Sequence, residues 1–162
     1  MAGSKKKKEV DEEIKPVCRN KRALHEYEIF DTLECGLVLT GTEVKSLRQH
    51  AASIEEAYAK IDVGELWLIG SDIPEYVMGN KLNHKPKRPR KLLLHKRELE
   101  KFAGKASQLG YTLVPLRLYF KMGRAKIEIA VARGKKQYDK RETKKKAEVA
   151  REIRKAMKDR RR

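Results

Sequence analysis

Aromatic residues make up only 6% of this 162-residue chain, and cysteine occurs twice. A core must therefore be built mainly from Leu, Ile, Val and Ala. Cys18 and Cys35 stand alone, with no CxxC and no Cys/His pair at metal-ligand spacing, so both read as free thiols. No apolar run approaches the roughly 18 residues of a membrane span, and no signal-peptide core follows the N-terminal lysines. The expectation is a soluble, cytoplasmic protein. Signatures of catalysis are missing as well: no GxSxG, no HExxH and no close acidic cluster for a pair of metals. Gly36 to Gly41 has the spacing of a phosphate-binding loop, but Thr42 stands where the lysine is required and the segment alternates like a strand. His25, His50, His84 and His95 are scattered. Glu34 and Glu43 form the one candidate carboxylate pair, and acidic residues beside basic strands usually make ion pairs. No enzyme activity, cofactor or metal is expected.

What the chain has in excess is positive charge. Forty Lys and Arg face 23 Asp and Glu, a net +17 with a pI near 9.9. Such a balance points to nucleic acid or, second, to an anionic membrane. The charge concentrates at the C-terminal end: residues 134–162 hold fourteen Lys/Arg against five Asp/Glu, a net +9. Asp139 and Glu142 have the spacing of a capping box, and Val149, Ala150, Ile153, Ala156 and Met157 recur on one helical face. That stripe is thin and lacks the Trp, Phe or Leu a membrane-surface helix would use, so nucleic acid is the better reading. An isolated helix of this length is marginal in water, and its lysines repel one another. The expected tail is disordered alone and helical on an anionic partner.

The order of the chain is a leader, a body and the tail. Residues 1–16 carry cancelling charges and no period, and read as disordered. Residues 17–133, about 117 in all, are the part patterned for a core, enough for one domain. YEIFDTL and GLVLTG read as two strands broken at Glu34-Cys35-Gly36, followed by a short helix over 42–50. Strands at 58–63 and 65–73 flank a turn at Gly64. Residues 74–91 hold three prolines and a Lys/Arg cluster, and read as a long basic loop. A helix follows, with Leu94, Leu99, Phe102, Ala103 and Ala106 on its apolar face and Gly110 at its end. The last two strands alternate most cleanly: Leu116, Leu118 and Phe120 share a face, then Ile127, Ile129 and Val131, across a turn at Met122-Gly123. About six short strands with two or three flanking helices predict a mainly β fold, an OB-like small antiparallel barrel.

Three basic groups lie on this body: Arg19, Lys21 and Arg22; Lys45 and Arg48; and the cluster at 85–91 that includes Lys91. The last hairpin adds Lys121 and Arg124. Tyr27 and Tyr119 offer rings for stacking on bases. RNA binding is the expected function, with a general RNA chaperone or ribosome-assembly factor as the nearest rival and a small RNA-processing nuclease as the rival from another class.

Motifs sharpen this. NKRALHEYEI, ECGLVLTGTEVKSLR, RKLLLHKREL, GYTLVPLRLYF and GRAKIEIAVARGKKQYDKRE, in this order over residues 17–142, resemble the small protein B (SmpB) family. These are SsrA-binding proteins, partners of transfer-messenger RNA in bacterial ribosome rescue. The resemblance implies an OB-like body that binds the tRNA-like domain of that RNA, without catalysis. It implies a tail that enters the empty mRNA channel of a stalled ribosome, near the decoding centre in 16S rRNA, and folds there. Alanyl-tRNA synthetase and elongation factor Tu are implied as indirect partners. By position, Asn20, Lys21, Glu34, Gly36, Lys45, Leu93 and His95 are expected to face RNA, Leu93 as a hydrophobic prop. Gly134, Lys135, Lys136, Tyr138, Asp139, Lys140, Arg141 and Met157 are expected to serve the tail on the ribosome. The chain departs from the family pattern at Gln49-His50 and at Val149.

Overall fold

The protein is described by a computed structural model covering residues 14–49, 51–107, 110–136, 141, 144–152 and 154. In chain order the elements are β1 (Ile14–Arg19), α1 (Lys21–Glu26), β2 (Tyr27–Leu37), α2 (Gly41–Arg48), β3 (Tyr58–Asp62), β4 (Glu65–Ile69), β5 (Arg90–Leu93), α3 (Lys96–Ala106), β6 (Tyr111–Lys121) and β7 (Arg124–Gly134). Two hairpins are closed by two-residue turns, Val63-Gly64 and Met122-Gly123, in which both residues have positive φ. That is the geometry whose twist matches flanking strands. β7 pairs with β6 on one side and β2 on the other; β5, β4 and β3 continue the order, and Ala59 of β3 meets Leu113 of β6. Six antiparallel strands thus close a ring, as the alternation predicted, and β1 lies beside β6 as a seventh.

Inside the ring, Leu66, Leu68, Leu92, Leu118, Ile127, Ile129 and Val131 are fully buried, and α2 and α3 close it with Leu47 and with Leu99 and Phe102. Each such side chain taken from water stabilises the fold by about 1.5–3 kcal/mol. Cys35 is in this core and Cys18 packs against it. Burial pushes the thiols up to about 12 and about 11 respectively, so both stay protonated and unreactive at neutral pH.

Several local expectations give way to tertiary pairing. β1 begins at Ile14, inside the stretch read as leader, and α1 was not anticipated. β2 passes unbroken through Glu34-Cys35-Gly36, because Leu33 to Gly36 pair with β7 while Gly36 and Leu37 pair with β5. The strand expected over 36–41 stops at Leu37, and the chain turns into α2. The face expected to join Leu116 to Leu118 and Phe120 is split by a bulge between Pro115 and Arg117. Leu116 instead packs with Ala23, Val114, Ala130 and Ala132 in a second cluster beneath α1. The strand read over 65–73 ends at Ile69.

The basic loop 74–91 is irregular up to Arg90, and two of its cations are spent inside the protein. Arg90 is 0% exposed; its Nε donates to Glu43 Oε1 at 2.9 Å, its Nη1 to both oxygens of Ser71 at 2.8 Å, and its Nη2 to the Pro86 carbonyl at 2.8 Å. Arg88 forks onto the same carboxylate at 2.8 and 2.6 Å, and the Thr40 N–H donates to it at 2.8 Å. Glu43 is therefore the buried pin between α2 and the loop. His84 completes the seam, with one ring nitrogen 2.9 Å from the Thr42 hydroxyl and the other 2.9 Å from the Ile73 carbonyl.

Candidate RNA interface

Gly36 and Leu93 face each other across β2 and β5. A Cβ on Gly36 would lie 3.3 Å from the Leu93 Cβ, so glycine lets the leucine lie close over the strand. Leu93 is 51% exposed and forms an apolar ridge between two clefts. One cleft is lined by Leu33, Glu34, His95, Glu98 and Lys126; the other by Leu39, Val44, Gly123 and Arg124. Lys126 opposes Gly36 on β7 and lines both clefts. As the strand neighbour of inward Ile127 it points outward, but only the ring brings it beside Leu93. His95 sits at the start of α3, its N–H donating to Glu98 Oε2 at 3.1 Å, and its ring side is exposed.

Glu34, Tyr119 and Lys121 converge on the β2–β7–β6 face. The Tyr119 hydroxyl donates to Glu34, and Lys121 Nζ lies 3.8 Å from the other carboxylate oxygen. Arg117 stacks 5.2 Å from the Tyr119 ring centre and pairs with Glu128. Burial, then the Glu34 carboxylate, pushes the Tyr119 phenol up, so it remains a neutral donor. Tyr119 is only 4% exposed, which corrects the expectation of a ring open to bases. Its place is to hold Glu34, which in turn orients Lys121. Tyr27 is half-buried against the second cluster.

The remaining residues spread over the surface. Asn20 is buried and caps α1: its Oδ1 accepts from the Ala23 N–H at 2.9 Å, and its Nδ2 donates to the Ile54 and Pro115 carbonyls at 3.2 and 3.1 Å. Its amide serves the chain itself and aims the exposed Lys21 and Arg22. On α2, Lys45 and Arg48 are exposed, with Lys45 Nζ 5.4 Å from the Tyr76 ring centre. Lys91, two residues before Leu93 on the same strand face, pairs with Glu65 on the neighbouring strand. Arg124 is exposed at the hairpin turn.

The root of the tail lies at the opposite end of the same strands. Gly134 pairs with Tyr27 and belongs to β7, while the Lys135 N–H donates to the Glu26 carbonyl at 2.8 Å. The body therefore extends past the boundary read at 133. From Tyr27 to Gly36 is nine residue steps of strand, at most about 30 Å at about 3.3 Å per residue. Lys136 and Arg141 are exposed, and residues 144–152 are helical with every side chain exposed. Val149 and Ala150 of the expected helical face lie in it. Tyr138, Asp139, Lys140 and Met157, with the expected capping box, lie outside the described residues.

Among the described residues no group of three or more His, Cys, Asp or Glu is placed to hold a metal, and no helix is long and apolar enough to cross a membrane. A closed small barrel carrying a basic face, an apolar ridge and a cationic extension is the class of nucleic-acid-binding modules built on OB-like folds. Residues 17–159 match the SmpB protein family. The chain is 54% identical over 157 residues to the SsrA-binding protein of Thermobifida fusca, covering 97% of this chain and 98% of that one. It is 58% identical over 133 residues to the SsrA-binding protein of Streptomyces avermitilis, covering 82% and 75%. A chain from a solved structure described as "tmRNA-SmpB: a journey to the center of the bacterial ribosome" superposes with a TM-score of 0.64 at 49% identity, covering 75% of this chain and 86% of that one. The chain belongs to the SmpB protein family.

Proposed function

We propose that this protein binds the tRNA-like domain of transfer-messenger RNA and delivers it to stalled ribosomes in trans-translation, as a cytoplasmic, non-enzymatic RNA-binding protein. The observation that carries this reading is the placement of two unlike surfaces at opposite ends of one strand pair. At the Gly36 end, Leu93 provides an apolar surface for a base or sugar, Lys126 and Arg124 line the clefts beside it, and Lys121 sits on Glu34 at their edge. Glu34 is the acceptor among those cations, suited to a base edge or a 2′-hydroxyl. At the Gly134 end, at most about 30 Å away, the basic tail leaves the barrel. A molecule built this way holds one RNA while offering a polycation to another.

The tail reads the ribosome. A channel walled by 16S rRNA is strongly anionic, and a segment of net +9 gains there by releasing counterions. The helix over 144–152 has no side chain buried, so packing against the body does not hold it. Ordering a residue costs about 1–2 kcal/mol of backbone entropy. Contacts inside an empty mRNA channel offset that cost; a channel filled with message offers none. Alanyl-tRNA synthetase and elongation factor Tu meet the complex through the RNA.

The test is the RNA that co-purifies with the protein from a bacterial lysate. One dominant RNA with a tRNA-like end supports the function. A broad mixture of RNAs, or cleaved fragments, refutes it.

A further inference from the structure

At the tail root, three strands place a mixed aromatic and cationic group on one outer face. Arg133 of β7 is the register partner of Glu28 on β2 and of Tyr111 on β6, so the three form a row across the sheet. Between Ile29 and Asp31 the β2–β7 register shifts, and Phe30 is the bulged residue without a partner on β7. Bulges re-aim side chains, and this one turns Phe30 out beside the row, 47% exposed. Its ring meets that of Tyr111 edge to face, centroids 5.0 Å apart at 68°. The Arg133 guanidinium lies 5.3 Å from the Phe30 centre and 6.0 Å from that of Tyr111, and pairs with Glu28 at 3.3 Å.

We propose that Phe30, Tyr111 and Arg133 form a stacking platform for one unpaired nucleobase of an RNA that runs beside the tail root. The chemistry favours a base over other partners. A carboxylate and two rings bias the position of Arg133, and a planar guanidinium stacks on bases as aromatic rings do. Even with these contacts Phe30 keeps 47% of its surface in water on a strand face, which leaves ring surface open to a partner. Among the described residues, the next exposed cations along the chain, Lys136 and Arg141, suit the phosphates flanking such a base. The platform lies at the far end of β2 from the Leu93 ridge, and so constitutes a second RNA contact. This inference rests on the proposed RNA-binding function, with the base coming either from transfer-messenger RNA or from ribosomal RNA.

The test uses the full chain with Phe30→Leu and Phe30→Trp, which keep charge and apolar bulk while removing or enlarging the π face. Affinity is measured against transfer-messenger RNA alone and against ribosomes lacking it, each across a salt series. Base stacking contributes about 1–3 kcal/mol, so Phe30→Leu should weaken one arm at least about fivefold, with Phe30→Trp equal to wild type or tighter. The salt slope should stay unchanged, since no phosphate contact is lost. The weakened arm identifies the source of the base. If the leucine variant matches wild type in both arms, or the two variants weaken alike, the platform is refuted. Wild-type protein that binds neither RNA would overturn the proposed function instead.

Discussion

Removal of the Glu43 charge tests the central clamp. In Glu43→Gln the shape is nearly kept, but two arginines lose their counter-charge. They do not suffer equally. The Arg88 side chain is 29% exposed and can swing into water, whereas Arg90 is held at 0% by Ser71, Pro86 and the sheet. The cost therefore falls on Arg90, left as a buried cation without its anion, a defect of about 3–5 kcal/mol. For a body of this size 1 kcal/mol moves Tm by about 4 °C, so a drop of about 12–20 °C is expected in a thermal melt followed by circular dichroism. Arg88→Ala, leaving Arg90 on Glu43, should cost only about 1 kcal/mol. The pH dependence has a definite sign. Burial alone would raise the Glu43 pKa, but the Arg88 hydrogen bond, the Thr40 N–H and the Arg90 charge together bring it below the ordinary carboxylate value. A lowered folded pKa contributes stability that is present above the unfolded pKa, about 4.3, and lost as pH falls through the folded value. The gap between wild type and Glu43→Gln should then be widest near neutral pH and narrow on acidification below about 4. A Tm change under about 4 °C, or a gap that widens in acid, would refute the clamp.

Glu34→Ala removes both an acceptor offered to RNA and the partner of the buried Tyr119 hydroxyl, so Tm should fall by about 4 °C, the equivalent of about 1 kcal/mol. In a Tyr119→Phe background the same change should leave Tm unaltered while RNA affinity in filter binding still falls about tenfold; retained affinity there would make Glu34 purely structural. Gly36→Ala pushes on Leu93, which is exposed enough to give way, so folding should cost under about 1 kcal/mol while the displaced ridge weakens RNA binding severalfold. Wild-type affinity would show that the ridge does not touch RNA. Ala150→Pro leaves the charge intact and breaks the 144–152 helix, so transfer-messenger RNA binding should hold and peptide tagging on stalled ribosomes should collapse. Tagging at the wild-type rate would mean that the tail acts only as a flexible polycation.

Much of this protein is written locally. The β3–β4 and β6–β7 hairpins follow from alternation and from Gly64 and Gly123, which take positive φ freely at the second turn position; α2 and α3 follow from apolar spacing and from glutamates at their third positions. The net charge of the tail and the family motifs are linear features that survive any folding. What only the tertiary structure decided depends on neighbours distant in the chain. Arg88 and Arg90 look like free RNA-binding cations in a proline-rich loop, yet Glu43, more than forty residues away, consumes them, because a cation inside the body must find an anion. Tyr119 looks like an open stacking ring, yet the bulge at Pro115 and Arg117 and the closure of the barrel bury it and aim its hydroxyl at Glu34. Lys126 carries no local mark of importance and gains its place only when β7 lies between β2 and β6. Sequence period states which way a side chain points from its own strand; what stands opposite is settled by strand order and register, which are set by closure of the whole ring.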